Sequence, residues 1–191
     1  MSVRIFLASQ SPRRRELLHQ LGVAFDVLEV DVPEQQLPDE PAADYVSRVA
    51  REKAGAGLLQ VASVPGALVI GADTEVVLDD AVFGKPADAA AAQAMLRRLS
   101  GRTHHVLSTL WCVDAAREER ACSDSRVEFA ALSAAEIADY VASGEPVGKA
   151  GAYAIQGRAA AFVRRLEGSY SGVMGLPLHE TANLLRAFGV R

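Results

Sequence analysis

The feature that most constrains the fold is an apolar run at residues 67–70 that leads into the polar segment Gly71-Ala-Asp73-Thr74. Pro65-Gly66 precedes this run, as is typical of a buried strand that is entered from a turn. A strand that ends in this way places Asp73 at the carboxyl edge of a sheet, where open α/β sheets bind ligands. An isolated Asp-Thr pair more often only caps a turn, so the interpretation of Asp73 as a reactive centre depends on the rest of the chain.

The hydrophobic periodicity predicts helices that alternate with strands early in the chain, followed by a long hairpin. Besides the central strand, the predicted strands are residues 3–8, 25–30, 103–113, 125–129 and 162–166, and the predicted helices are residues 11–22, 42–62, 87–99, 133–143 and 176–188. Residues 144–157 are predicted to form a loop with a short strand in it, and residues 168–175 a glycine-punctuated loop. This order indicates a mixed α/β fold, and the length of 191 residues indicates a single domain over residues 1–191.

Composition excludes several classes of protein. The chain has 20 Lys and Arg against 24 Asp and Glu, a formal net charge of −4, so we expect neither a nucleic acid nor a membrane as partner. No apolar run approaches membrane-spanning length, and the first residues enter structure too early for a signal peptide. Cys112 and Cys122 lack zinc or CxxC spacing, and we expect them to be reduced thiols in the cytoplasm.

Three arginines occupy the first turn of the first predicted helix, which Ser11 caps. A helix N-terminus already carries a partial positive charge, so each exposed arginine there costs roughly 0.3–1 kcal/mol. A phosphate would satisfy the free N–H groups and the guanidinium groups together. We therefore predict that Arg13 and Arg14 bind an anion, whereas Arg15 is expected to extend into water.

Two lysines could complete a polyphosphate site. Tyr45, Val49 and Lys53 recur every four residues, which places Lys53 on the apolar face of its helix. Lys85 lies between Gly84 and Pro86 on a stiff backbone. Each lysine has a plain alternative, since Lys53 could snorkel past the core and Lys85 could be a solvated turn residue. With the two arginines they would neutralise phosphates, while the carboxylate orients water or holds a divalent metal.

Two glycine-rich loops follow later in the chain. Gln156 lies in the first, between Gly148 and Gly157, and its amide can both donate and accept at the edge of a nucleobase. Loops of this kind are often plain turns, and the Walker and Rossmann spacings are absent. His104 and His105 would face opposite sides of a strand, so they cannot share a metal and are interpreted as structural.

Together these segments resemble the Maf family of nucleotide pyrophosphatases, in chain order and over about residues 5–188. The segments are Leu7-Ala-Ser9-Gln-Ser11-Pro-Arg13-Arg14, Arg51-Glu-Lys53-Ala, Ile70-Gly-Ala-Asp73-Thr74, Gly84-Lys85-Pro86, Leu99-Ser-Gly101-Arg-Thr-His104, Lys149-Ala-Gly-Ala-Tyr153-Ala-Ile-Gln156-Gly157 and Val173-Met-Gly-Leu-Pro177. The resemblance implies a long mixed β-sheet flanked by helices, with two lobes around a deep central cleft, distantly like the inosine triphosphate pyrophosphatases.

The resemblance also implies an activity, namely hydrolysis of a nucleoside triphosphate between its α and β phosphates with Mg²⁺ or Mn²⁺. Asp73 would be the proton acceptor, and Arg13, Thr74 and Gln156 would be substrate-specificity positions. The stretch Tyr153-Ala-Ile-Gln156-Gly157 resembles the branch of the family that acts on dTTP and UTP, with modified pyrimidine triphosphates as further substrates. The chemistry of Gln156 agrees with this, because an amide can pair with the imide edge of thymine or uracil. A homodimer is also suggested.

On this basis the sequence assigns catalysis to Asp73, Lys53 and Lys85, and substrate binding to Ser9, Arg13, Arg14, Thr74 and Gln156. The metal ligands stay open. Alternatives are the same reaction on 7-methyl-GTP or CTP, or a nucleotide-binding regulator of cell division that needs no turnover. One departure is that Pro33 stands where the family commonly has the first of two acids, which leaves Glu34 or Asp31 to supply the charge.

Overall fold

A mixed β-sheet runs through the computed structural model, which describes residues 3–190. Within these residues it has seven strands: β1 (Arg4–Ala8), β2 (Phe25–Leu28), β3 (Ala67–Leu78), β4 (Ala81–Phe83), β5 (Thr103–Val113), β6 (Glu118–Phe129) and β7 (Val163–Glu167). The strand order is β2-β1-β3-β5-β6-β7, with β4 paired to β3. β1 is parallel to β2 and β3, and the other pairs are antiparallel.

Helices cover both faces of this sheet: α1 (Pro12–Gln20), α2 (Ala42–Gln60), α3 (Ala89–Leu99), α4 (Ala134–Ala142), α5 (Tyr170–Met174) and α6 (Leu178–Ala187). The largest hydrophobic cluster joins the sheet to α1, α3, α4 and α6, and smaller clusters form beneath α2. Ser11 caps α1, and Ser133 and Glu136 form a capping box at the start of α4. No helix within residues 3–190 is both long and apolar enough to cross a bilayer.

The mixed α/β fold is confirmed, but several segments differ from their predictions. β6 begins at Glu118 rather than at the predicted residue 125. Residues 144–157 contain a 3₁₀ turn at Ala150–Ala152 rather than a short strand. Gly151 in that turn has a φ of 67°, and this left-handed conformation interrupts any extended run. Residues 168–175 contain α5, because the Ser169 side chain accepts the N–H of Gly172 and caps a short helix there.

The prediction that the central strand ends at Asp73 is wrong. β3 continues to Leu78, because β5 pairs with it from Val69 to Val77, beyond the point where its parallel neighbour stops. On its other edge, β3 pairs with β1 up to Ile70 and with β4 from Val76. Between these two partners the edge of β3 faces no strand of the described chain, and Asp73 lies in this gap.

A close contact at Gly71 seats α2 against β3. A Cβ atom on Gly71 would lie 2.4 Å from the carbonyl oxygen of Ala50 and 2.5 Å from the backbone nitrogen of Ala54. Only a residue without a side chain allows the helix to approach the strand this closely. Because Gly71 and Asp73 lie on the same face of β3, the contact also brings Lys53 of α2 within reach of Asp73.

Replacement of Gly71 by alanine is therefore expected to destabilise the fold. The new methyl group would meet backbone atoms of α2, which cannot move without displacing the helix, so we expect Gly71→Ala to cost at least about 2 kcal/mol. Chemical denaturation followed by circular dichroism measures this change.

Gly55→Ala is the matched control, because a Cβ atom at Gly55 of α2 meets nothing within 4 Å. It should stabilise the protein by about 0.5–1 kcal/mol through helix propensity. A Gly71→Ala variant as stable as wild type would contradict the close contact.

Candidate active site

A cleft of about 680 Å³ opens along the unpaired edge of β3. Its walls come from the end of β1, the start of α1, the loop after β2, α2 and the loops that follow α4 and α5. All eight residues assigned from the sequence line it, although they are spread over nearly 150 positions of the chain: Ser9, Arg13, Arg14, Lys53, Asp73, Thr74, Lys85 and Gln156. The structure thus brings the whole predicted set to one site.

A buried ion pair lies on the floor of the cleft. Lys53 Nζ donates to Asp73 Oδ1 and to Glu34 Oε1, both at 2.7 Å. Lys53 and Asp73 are only 7% and 4% exposed. Tyr45 and Val49 are buried on the same face of α2, as the helical periodicity predicts, so Lys53 does not snorkel to solvent. Removing one partner of such a pair leaves an uncompensated charge, which is strongly destabilising.

Glu34 links this pair to the second lysine. It accepts from Lys53 through one carboxylate oxygen and from Lys85 through the other. Burial raises the pKa of Glu34, but the two lysine hydrogen bonds outweigh burial and hold the pKa at about 2. Glu34 therefore supplies the negative charge that pairs with both lysines, and Asp31 lines the cleft without an ion pair among the described residues.

Arg13 and Arg14, the two arginines of α1 that line the cleft, are held differently. The Arg14 guanidinium donates to Gly175 O at 2.8 Å, to Thr74 Oγ1 at 3.4 Å and to Ser9 Oγ at 3.5 Å. Arg13 makes a single bond, from Nε to Met174 O at 3.3 Å. Arg14 thus ties α1 to β3 and to the loop after α5, while the outer nitrogens of Arg13 stay free for a ligand.

Charge repulsion within this wall favours an anion. Burial lowers the pKa of Arg13, and the neighbouring Arg14 lowers it further. Lys149 lines the cleft as well, and its pKa is lowered by burial and then by Arg13. A phosphate between these groups would relieve both effects. Arg15 is exposed, in accord with the sequence prediction.

Glu75, for which the sequence pattern predicts no role, is a further carboxylate of the cleft. It is 5% exposed, it lines the cleft, and its Oε2 has no hydrogen-bond partner. Burial, followed by the charges of Asp73 and Glu34, raises the pKa of Glu75 to about 8. The sequence could have pointed to Glu75 through its spacing from Asp73, because residues two apart on a strand share a face.

Gln156 lies on the far wall of the cleft, with its side chain exposed. Its backbone is fixed by Glu145, which accepts the N–H of Arg158 at 3.0 Å and the hydroxyl of Tyr140 at 2.8 Å. A Cβ atom on Gly157 would lie 2.4 Å from Glu145 Oε1. The glycine after Gln156 therefore lets the carboxylate pack directly against the loop.

Thr74 and the histidines complete the set of sequence predictions. Thr74 shares a hydrogen bond of 2.8 Å with Ser108 Oγ, on the face of β3 opposite Asp73. His104 is buried and bonded to Tyr153, and burial lowers its pKa to about 4. His105 points to the surface beside Asp124, so the two histidines face opposite sides as predicted. Within residues 3–190, no group of three or more His, Cys, Asp or Glu is arranged to hold a metal.

The perturbed carboxyl group predicts a pH-dependent stability. Because the pKa of Glu75 is higher in the folded state than in the unfolded chain, its contribution is complete below about pH 4.5 and is lost as pH rises through about 8. Glu75→Gln should remove this loss. The difference in free energy of unfolding between the variant and wild type should therefore grow by a few kcal/mol, in favour of the variant, as pH rises from about 5.5 to about 8.5. Urea denaturation in EDTA measures the difference, and stability curves that stay parallel would contradict it.

Comparison with known proteins identifies the family of the chain. The Maf family, described as "Maf-like protein", matches residues 4–188. The "dTTP/UTP pyrophosphatase" of Xanthomonas axonopodis pv. citri (strain 306) is 59% identical over 187 residues, which are 97% of this chain and 98% of that protein. The "Nucleoside triphosphate pyrophosphatase" of Xylella fastidiosa (strain 9a5c) is 55% identical over 185 residues, 96% of this chain and 98% of that protein.

Among solved structures, that of the Staphylococcus aureus Ham1 protein aligns over 97% of both chains with a TM-score of 0.49 and 13% identity, a similarity too low to carry a functional conclusion. The family match and the two relatives, by contrast, extend over nearly the whole sequence. This chain therefore belongs to the Maf family.

Proposed function

We propose that this protein hydrolyses dTTP and UTP to the nucleoside monophosphate and pyrophosphate. The observation that carries this proposal is the buried Lys53–Asp73 pair on the floor of a cleft whose wall presents cationic side chains. A triphosphate is the common nucleotide group that needs several cations in a row. The names of the relatives from Xanthomonas and Xylella support the same reaction.

In the proposed reaction, each group has a separate task. Arg13 and Lys85 bind the phosphate chain, and Lys53 fixes the orientation of Asp73 through Oδ1. The second oxygen of Asp73, Oδ2, has no hydrogen-bond partner within the described chain, so it can accept the proton of an attacking water. The water oxygen bonds to the α-phosphorus while Asp73 takes its proton, the bond from that phosphorus to the oxygen bridging the α and β phosphates breaks, and pyrophosphate leaves with the bridging oxygen.

We also propose that a divalent cation, Mg²⁺ or Mn²⁺, takes part. The unpaired carboxylate oxygen of Asp73, Oδ2, is a hard donor of the type these ions prefer, so the site fits such an ion. A carboxylate oxygen has two lone pairs, so Oδ2 could hold the ion with one and accept the proton of the attacking water with the other. When bound, the cation would neutralise phosphate charge. Arg13 and Lys85 would share that task along the rest of the phosphate chain.

Base selection is assigned to Gln156, whose amide can accept from N3–H and donate to O4 of thymine or uracil. The fixed backbone around Gly157 supports this role, because it limits where the amide can reach. We further propose that residues 1–191 act as one unit in the cytoplasm, on free nucleotides, including modified pyrimidine triphosphates. The homodimer stays a prediction.

The first test is the substitution Asp73→Asn. Asparagine keeps the shape and can still accept a bond from Lys53, but it cannot take a proton, so kcat should fall at least about 100-fold while nucleotide binding persists. Pyrophosphate release and equilibrium nucleotide binding measure the two effects. Asp124→Asn, on the surface beside His105, is the control and should keep full activity.

Two outcomes would count against the enzyme. Turnover by Asp73→Asn close to wild type would remove Asp73 from the chemistry. If wild type released no pyrophosphate from any nucleotide with Mg²⁺ or Mn²⁺, catalysis itself would be rejected, and a nucleotide-binding regulator would be favoured instead.

The second test is Gln156→Glu. A carboxylate cannot donate to O4, so kcat/KM for dTTP and UTP should fall by about 10- to 100-fold, which corresponds to the loss of one hydrogen bond at the base edge. Gln20→Glu, on the exposed end of α1, serves as the control. Unchanged rates for Gln156→Glu would exclude this residue from base recognition.

A further inference from the structure

We propose that Glu75 and Asp73 together bind the divalent cation that accompanies the nucleotide, which makes Glu75 a second metal-binding residue of the cleft. The inference rests on the proposed function only in assuming that a triphosphate brings the cation. It concerns a residue that lies outside the sequence motifs by which the chain resembles its family.

The two carboxylates belong to one face of β3, and both residues line the same cleft. Residues two apart on a strand lie about 6.6 Å apart along it, so their side chains can converge on one ion. Asp73 is 4% and Glu75 is 5% exposed, and both line the cleft. Each has one buried oxygen with no hydrogen-bond partner, Oδ2 of Asp73 and Oε2 of Glu75.

Four acids line the cleft, and Asp31 among them is exposed. The distribution of charge singles out Glu75 among the other three. Lys53 forms ion pairs with Asp73 and Glu34, and Lys85 forms an ion pair with Glu34. Within residues 3–190, Glu75 makes no ion pair and no side-chain hydrogen bond. In a purely structural role, this buried carboxyl would have no bonding partner, so the free-energy cost of its burial would not be offset by any interaction in the folded state.

A cation would satisfy both unpaired oxygens. Mg²⁺ and Mn²⁺ prefer oxygen ligands, and Mg²⁺ commonly uses only one or two carboxylates together with waters and substrate phosphates. Two protein carboxylates are therefore enough, which agrees with the absence of a three-ligand cluster among the described residues. This arrangement predicts weak cation binding to the free protein and tighter binding when a nucleotide supplies phosphate oxygens.

Binding of Mn²⁺ tests the proposal without any turnover. The electron paramagnetic resonance signal of free Mn²⁺ would be titrated with protein that is saturated with a dTTP analogue carrying an α,β-imido bridge. Glu75→Gln should raise the Mn²⁺ dissociation constant at least about 10-fold, because the substitution removes one of only two protein ligands of the ion. Glu128→Gln, whose carboxylate pairs with Arg164 outside the cleft, should leave the constant unchanged.

Two further measurements separate ligation from misfolding. Binding of the analogue in EDTA should be equal for wild type and Glu75→Gln, since Glu75 is not assigned to the nucleotide itself. Glu75→Asp keeps the carboxylate, so it should bind Mn²⁺ more tightly than Glu75→Gln.

A dissociation constant for Glu75→Gln within about twofold of wild type would overturn the proposal and leave Glu75 as a carboxyl group that is simply protonated. Wild-type protein that binds no Mn²⁺ would overturn it as well. If Mn²⁺ binding depends on Glu75 but no nucleotide is hydrolysed, the proposed function fails while this site stands.

Discussion

The structure depends on the close packing of α2 against β3. At Gly71 the helix backbone occupies the volume that a side chain would fill, so helix and strand lie closer than a typical helix on a sheet. This distance places the Lys53 ammonium 2.7 Å from the Asp73 carboxylate, in a setting where both groups are almost fully buried. A wider spacing would leave a buried aspartate without its counter-ion.

The topology explains why this pair is open to a ligand although it lies in the middle of a sheet. β3 has β5 along one edge, but its other edge is divided between β1 and β4. The gap between these two strands leaves one edge of residues 71–75 free, and the cleft follows that gap. The general rule that ligands bind where parallel strands end still applies, although the strand that ends is β1 rather than β3.

The positions of the cationic residues could be predicted from local patterns. The four-residue spacing of Tyr45, Val49 and Lys53 predicts the face of the helix on which Lys53 lies. The arginines of α1 could be recognised because a helix N-terminus normally favours negatively charged side chains. Such patterns depend only on neighbours in the chain. For the same reason the capping box at Ser133 was predictable, and so was the mixed α/β class.

What the sequence could not reveal depends on partners that are distant in the chain. The continuation of β3 past Asp73 is decided by β5, which begins at Thr103. Glu34 could be recognised as a bridge only once the loop after β2 had been placed between two lysines. Glu75 resembles an ordinary polar position of an alternating strand until its lack of any bonding partner becomes visible.

The most direct measurement is a crystal structure of the protein with the α,β-imido analogue of dTTP. We expect a phosphate chain in contact with Arg13 and Lys85, and an α-phosphorus separated from Asp73 Oδ2 by a single water molecule. A nucleotide bound away from the gap between β1 and β4, or a phosphate chain directed out of the cleft, would contradict it.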